Sequence, residues 1–130
     1  ARSVLQSEVD DCTRLAVRPV IEAGQRGEHR VWYSCGAVFA LVAEATQKKA
    51  TGGDWFDFLK PLIEAGRTDG VLTREAWLAR LTEVSGDPAL RTDIEVLLTQ
   101  GATDPAAVIA RLFDRTGVAY RVVDGKIALG

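Results

Sequence analysis

Methionine is absent from the 130 residues, histidine occurs once and cysteine twice. Each scarcity excludes something. A lone imidazole, His29, cannot supply the His-Glu-x-x-His pair with which metallopeptidases hold zinc. Cys12, Cys35 and one His fall short of the four ligands that close a structural zinc site. The two cysteines could form one disulfide, but a chain of this length can bury a sizeable core without it, so the compartment is left open. Ala1 leads straight into a mixed polar segment with no secretory pattern. That opening and the missing Met lead us to expect a piece of a longer protein. Long apolar runs are lacking too. The longest, residues 36–43, falls far short of the roughly 20 residues that a membrane-spanning helix needs. There is no basic cluster, and 16 Lys and Arg against 18 Asp and Glu leave a net charge of -2. Nothing in that balance points to nucleic acid or a membrane surface as a partner.

What is present is organised around residues 31–47, VWYSCGAVFALVAEATQ. Ala37, Val38, Phe39, Ala40, Leu41, Val42 and Ala43 show no polar side chain before Glu44. A helix apolar on nearly every side is a buried one, so the remaining segments are expected to wrap around it. Gly36, Ala37, Ala40 and Ala43 are small enough to let neighbouring helices come close.

The flanking segments read as further helices. Residues 3–24 place Leu5, Val9, Cys12, Leu15 and Ala16 at helical intervals until Pro19, which lacks the amide to continue. One kinked helix or two short ones would fit. Residues 24–30 read as a loop, and Thr51-Gly52-Gly53 as a turn. Asp54 caps a helix over 55–65 that Pro61 should bend and Gly66 should close. After a turn at Thr68-Asp69-Gly70, Thr73 caps a helix running to Gly86. Asp87-Pro88 and Thr103-Asp104-Pro105 each restart a helix with proline at its first position. Those two helices carry Leu90, Ile94, Leu97 and Leu98, then Val108, Ile109, Leu112 and Phe113, and stop at Gly101 and Gly117. The tail, 118–129, is a β-hairpin signal around an Asp124-Gly125 turn. The expected fold is mainly α: a compact multi-helix bundle around a buried central helix, with a short C-terminal hairpin, as one helical domain over 1–130.

Three features invite a chemical reading. Residues 65–76 resemble a calcium loop, but setting Gly70 at the invariant sixth position puts Ala65, Arg67 and Ala76 at ligand positions, so a plain connection is the better reading. Cys35 beside His29 suggests an activated thiolate. Against it, a cysteine at the mouth of an apolar helix is usually a small buried hydrophobe, and no third orienting residue is in view. Trp32-Tyr33 at the start of the central helix are best read as packing, although a phenol there can also reach a neighbouring cleft.

Tyr33-Ser34-Cys35-Gly36-Ala37 followed by an apolar helix resembles the Tyr-x-Lys-Gly-Ala motif of gluzincin-type zinc aminopeptidases, in particular the bacterial glycyl-aminopeptidase-like branch. The stretches GGDWFDFLKPL and GVLTREAWLARLTEVSGDP are similar to the helices that follow the motif there, so the likeness covers residues 31–116. It departs at Cys35, where the family has Lys. The resemblance implies that this chain is the C-terminal helical domain of a metallopeptidase-like hydrolase, with zinc held by a segment upstream. It implies that Tyr33 donates its phenol hydrogen to the oxyanion of the tetrahedral intermediate, electrostatic stabilisation aimed at developing charge. The implied partners are the upstream catalytic domain of the same polypeptide and a peptide substrate. No activity is expected from this chain alone, which offers no cofactor site of its own. The competing expectation is a non-catalytic helical structural or protein-interaction module, with Tyr33 as packing. A third is a thiol-dependent enzyme using Cys35.

Overall fold

A computed structural model describes residues 2–69 and 73–130. The first helix, α1 (Arg2–Leu15), ends ahead of Pro19, and a short 3₁₀ segment (Val20–Arg26) follows. Of the two arrangements that the sequence allowed, the structure takes the two separate pieces. The long helix α2 (His29–Thr51) starts earlier and runs further than the sequence pattern indicated. Its end is set by Gly52, whose φ of 78° makes the left-handed stop that an L side chain resists.

Helix α3 (Trp55–Asp69) opens with a reciprocal cap. The Asp57 amide donates to Asp54 Oδ1, and the Asp54 amide donates to Asp57 Oδ2, each at 3.0 Å. The expected stop at Gly66 does not occur, and the helix continues through Thr68 and Asp69 of the turn expected at Thr68-Asp69-Gly70, while Gly70 lies outside the described residues. Pro61 is accommodated inside the helix. Without its amide, the carbonyl of Asp57, four residues back, loses its usual donor. Arg80 of α4 (Arg74–Ser85) replaces it, giving Nη2 to Asp57 O at 3.3 Å and Nε to Phe58 O at 3.1 Å. Thr73 caps α4 as read from the sequence, accepting from the Ala76 amide at 3.0 Å.

Asp87 caps α5 (Pro88–Glu95), which widens into one π-helical turn (Val96–Gln100) before Gly101, and Asp104 caps α6 (Pro105–Thr116). Gly101 has φ 77° and ψ 166°, and a Cβ there would stand 2.5 Å from the Val17 carbonyl oxygen. At this crossing the Ala102 amide donates to Ala16 O at 3.0 Å, which satisfies a carbonyl freed at the end of α1. The chain finishes in the hairpin β1 (Tyr120–Val123) and β2 (Lys126–Leu129), with positive φ at both Asp124 and Gly125, the turn that suits the twist of paired strands.

Helix α2 is the hub. It packs against α1, the 3₁₀ segment, α3, α4 and α6. Val31, Cys35, Val38, Val42 and Ala43 are buried on it, and they belong to one apolar cluster fed by every helix and by Ile127 of β2. A disulfide between Cys12 and Cys35 ties α1 to α2 with their Cα atoms 4.9 Å apart. Arg30 adds ion pairs to Glu8 and, at 2.9 Å, to Asp11. The burial is not all-round, however. Tyr33, Gly36 and Glu44 are exposed, with Ala37 and Ala40 half-buried between them. At spacings of three and four these fall on one flank, which no described helix covers.

Candidate apolar groove on the central helix

The open flank follows from side-chain size. Gly36, Ala37 and Ala40 leave little to fill the space above α2, while larger residues on either side stand up around it. Two hollows of about 310 and 290 Å³ result, and they meet at Ala40 and Trp55. The first is walled by Phe39, Trp77, Leu78 and Leu98. The second is walled by Leu5 and Leu41.

The tryptophan walls are held through Phe58. Trp55 stacks on its ring with centroids 5.8 Å apart and planes 8° from parallel, and Trp77 meets it edge-on at 5.8 Å. Phe58 is fully buried, and Arg80 covers its ring at 5.7 Å while binding its carbonyl. The groove walls are therefore set by the packing of α3 against α4 rather than by loops. Its lining holds two charged side chains, Arg74 and Glu44, and neither has a hydrogen-bond or ion-pair partner among the described residues.

Tyr33 lies one helical turn before Gly36 on the same flank. It is 70% exposed, its hydroxyl has no hydrogen-bond partner among the described residues, and it does not line either hollow. Trp32 has a different role. Its indole donates to Val20 O at 2.8 Å, and its ring lies so close over Gly24 that an added Cβ would meet it at 2.5 Å. His29, expected in a loop, is the first residue of α2 and stands edge-on to Trp32 at 5.3 Å. Cys35 is bonded to Cys12, so the thiolate reading is overturned: no sulfur is free to act as a nucleophile.

Among the described residues, no group of three or more His, Cys, Asp and Glu side chains is disposed to hold a metal. No described helix is long and apolar enough to cross a membrane. A more polar hollow of about 470 Å³ lies between Asp10, Asp11, Arg14, Asp104 and Lys126. Its polar groups are largely engaged. Asp104 caps α6 and Asp10 accepts from Gln6. Asp11 is held below the ordinary carboxylate range, first by the hydrogen bond from Arg30, against a smaller opposing effect of burial.

The small residues Gly36, Ala37, Ala40 and Ala43 are expected from the sequence to let neighbouring helices come close; Ala43 is buried, whereas Ala37 and Ala40 are half-buried and Gly36 is exposed. The helical spacing assigns Trp55 and Trp77 to core stripes, whereas both are half-buried groove walls. The signal available was the coincidence of three small residues on one flank with tryptophans on the following helices. Compared with known protein families, curated proteins and solved structures, the chain matches none.

Proposed function

We propose that this chain is a helical recognition domain that receives the apolar face of a partner's amphipathic helix along α2. The observation that carries this reading is the apolar groove between Trp55, Trp77 and the Gly36–Ala40 floor. A small-residue floor lets a helix approach closely, and aromatic walls supply the contact area that dominates helix-in-groove binding. Residues 36–44 span about 12 Å of helix, room for two turns of a partner. Arg74, whose charge also acts on the neighbouring Glu75, and Glu44 stand in different parts of the lining. They favour a partner with an acidic residue near Arg74 and a basic one near Glu44, and so fix its direction.

A synthetic helical peptide with leucines at i, i+4 and i+7 and that charge placement tests the reading. Binding should shift the emission of Trp55 and Trp77 to the blue and saturate. Ala40→Trp, which fills the floor, should abolish the shift while leaving the melting temperature within a few degrees of the parent. Equal binding by A40W and the parent would remove the groove from the proposal.

The free hydroxyl of Tyr33 favours a second reading, in which this chain is the C-terminal helical domain of a zinc-aminopeptidase-like protein. An upstream catalytic domain would then cover the groove, and Tyr33 would donate to the oxyanion of a peptide substrate. That reading requires a His-Glu-x-x-His segment in the same reading frame, outside these residues. In such a protein Tyr33→Phe should lower turnover and leave zinc content intact. An unchanged rate would return Tyr33 to a surface role.

A further inference from the structure

We infer that the outer edge of β1 is a second docking surface, one that accepts an extended acidic segment of a partner as an added strand. The hairpin has two outer edges, and the fold treats them differently. Along β2 the outward-facing groups are the N–H and C=O of Ile127 and Leu129. The Gln6 side chain of α1 takes two of these four, donating from Nε2 to Ile127 O at 2.8 Å and accepting from the Leu129 amide at 2.7 Å.

The residues opposite them, Val122 and Tyr120, are in register with Ile127 and Leu129. In an antiparallel pair, residues facing each other point their backbone groups the same way, both inward or both outward. The N–H and C=O groups of Tyr120 and Val122 therefore point away from β2. None of the four has a partner among the described residues. Val122 shares its face with Ile127, yet Ile127 is 3% exposed and Val122 is 61% exposed. A strand laid on this edge would cover Val122 and bond the four open groups.

Charge selects the occupant. Arg121 lies on the opposite face with Val123, exposed and without an ion pair among the described residues. Pairing with a second copy of β1 in the register that matches Tyr120 to Val122 would set Arg121 directly across from the partner's Arg121, an unfavourable contact. The register centred on Val122 would instead run the turn at Asp124-Gly125 into the pairing. A partner strand that alternates apolar and acidic residues avoids both problems, with its apolar side beside Val122 and its carboxylates beside Arg121.

The probes are a synthetic peptide alternating Val with Glu and its counterpart alternating Val with Lys, read by amide exchange at Tyr120 and Val122. The acidic peptide should slow exchange at these two amides, and Arg121→Glu should weaken its binding about tenfold. Val122→Pro removes the outward amide but leaves the ladder made by Arg121 and Val123, and it should abolish binding. If V122P does not fold, the R121E result decides. Three results would overturn the inference: equal binding of the lysine peptide, protection of neither amide, or protection that rises with protein concentration in the absence of peptide.

Discussion

Replacing Arg80 tests how α3 tolerates a proline in its middle, and with it what holds the groove walls in place. The guanidinium gives hydrogen bonds of 3.1 and 3.3 Å to two α3 carbonyls, lies over the Phe58 ring, and leaves 14% of its side chain exposed. A hydrogen bond to a charged donor contributes about 1.5–3 kcal/mol. The longer of the two and the exposed position of Asp57 argue for the low end. Arg80→Met keeps the apolar stem and removes both donors to α3 together with the ion pair to the exposed Glu83, which adds little, so a loss of about 2–3 kcal/mol is expected. For a chain of this size that is a fall in melting temperature of about 7–11 °C.

Pro61→Ala supplies the missing amide and restores the helical bond to Asp57 O. In that background Arg80→Met should cost about 1 kcal/mol less, because one of the carbonyls that it abandons now has a backbone partner. Urea denaturation of the four proteins, followed by far-ultraviolet circular dichroism, gives the coupling directly. Equal costs in both backgrounds would show that Arg80 does not compensate for the proline. That result would refute the compensation even if R80M is destabilised.

Two further predictions concern the junction of α1 with α2 and the outer ion pairs. The Cys12–Cys35 disulfide spans 23 residues, and the chain-entropy relation assigns a loop of this length about 3 kcal/mol. The Cys12→Ala, Cys35→Ala protein should melt about 12 °C lower than the oxidised parent; alkylation of an unreduced, denatured sample that labels both cysteines would show that the bond is not formed. Acid should also weaken the fold. Asp11 and Glu75 both titrate below the ordinary values of their side chains, chiefly through hydrogen bonds from Arg30 and Arg91. As pH falls, the unfolded chain takes up these protons first. Their stabilisation is therefore full above those values and is lost as pH drops through the lower native ones. The urea midpoint should decline from pH 6 to pH 3, less steeply in Arg30→Gln and Arg91→Gln; identical slopes in the variants would rule out these pairs as the cause.

Where each element begins was largely legible in the sequence, because caps and turns depend on neighbours a few residues away. Asp54, Thr73, Asp87-Pro88 and Asp104-Pro105 open helices, Gly52, Gly86 and Gly117 end them, and Asp124-Gly125 turns the hairpin, all as their local chemistry dictates. The apolar run at 36–43 likewise marked the hub. Helix length was less legible: α3 passes both Pro61 and Gly66, and the one carbonyl that Pro61 leaves open, that of Asp57, is met by a guanidinium 23 residues downstream.

The candidate groove lies at the far end of that scale. The sequence alone determined that α2 would be apolar, that it would carry small residues at 36, 37 and 40, and that a hydroxyl would stand at Tyr33. It could not determine which flank the other helices would leave uncovered, nor that Trp55 and Trp77 would stop half-buried beside it. It left open whether Cys12 and Cys35 would meet. Those outcomes were decided by contacts between residues distant in the chain, where burying the larger side chains of α2 against α1, α3, α4 and α6 wins over covering its smallest ones.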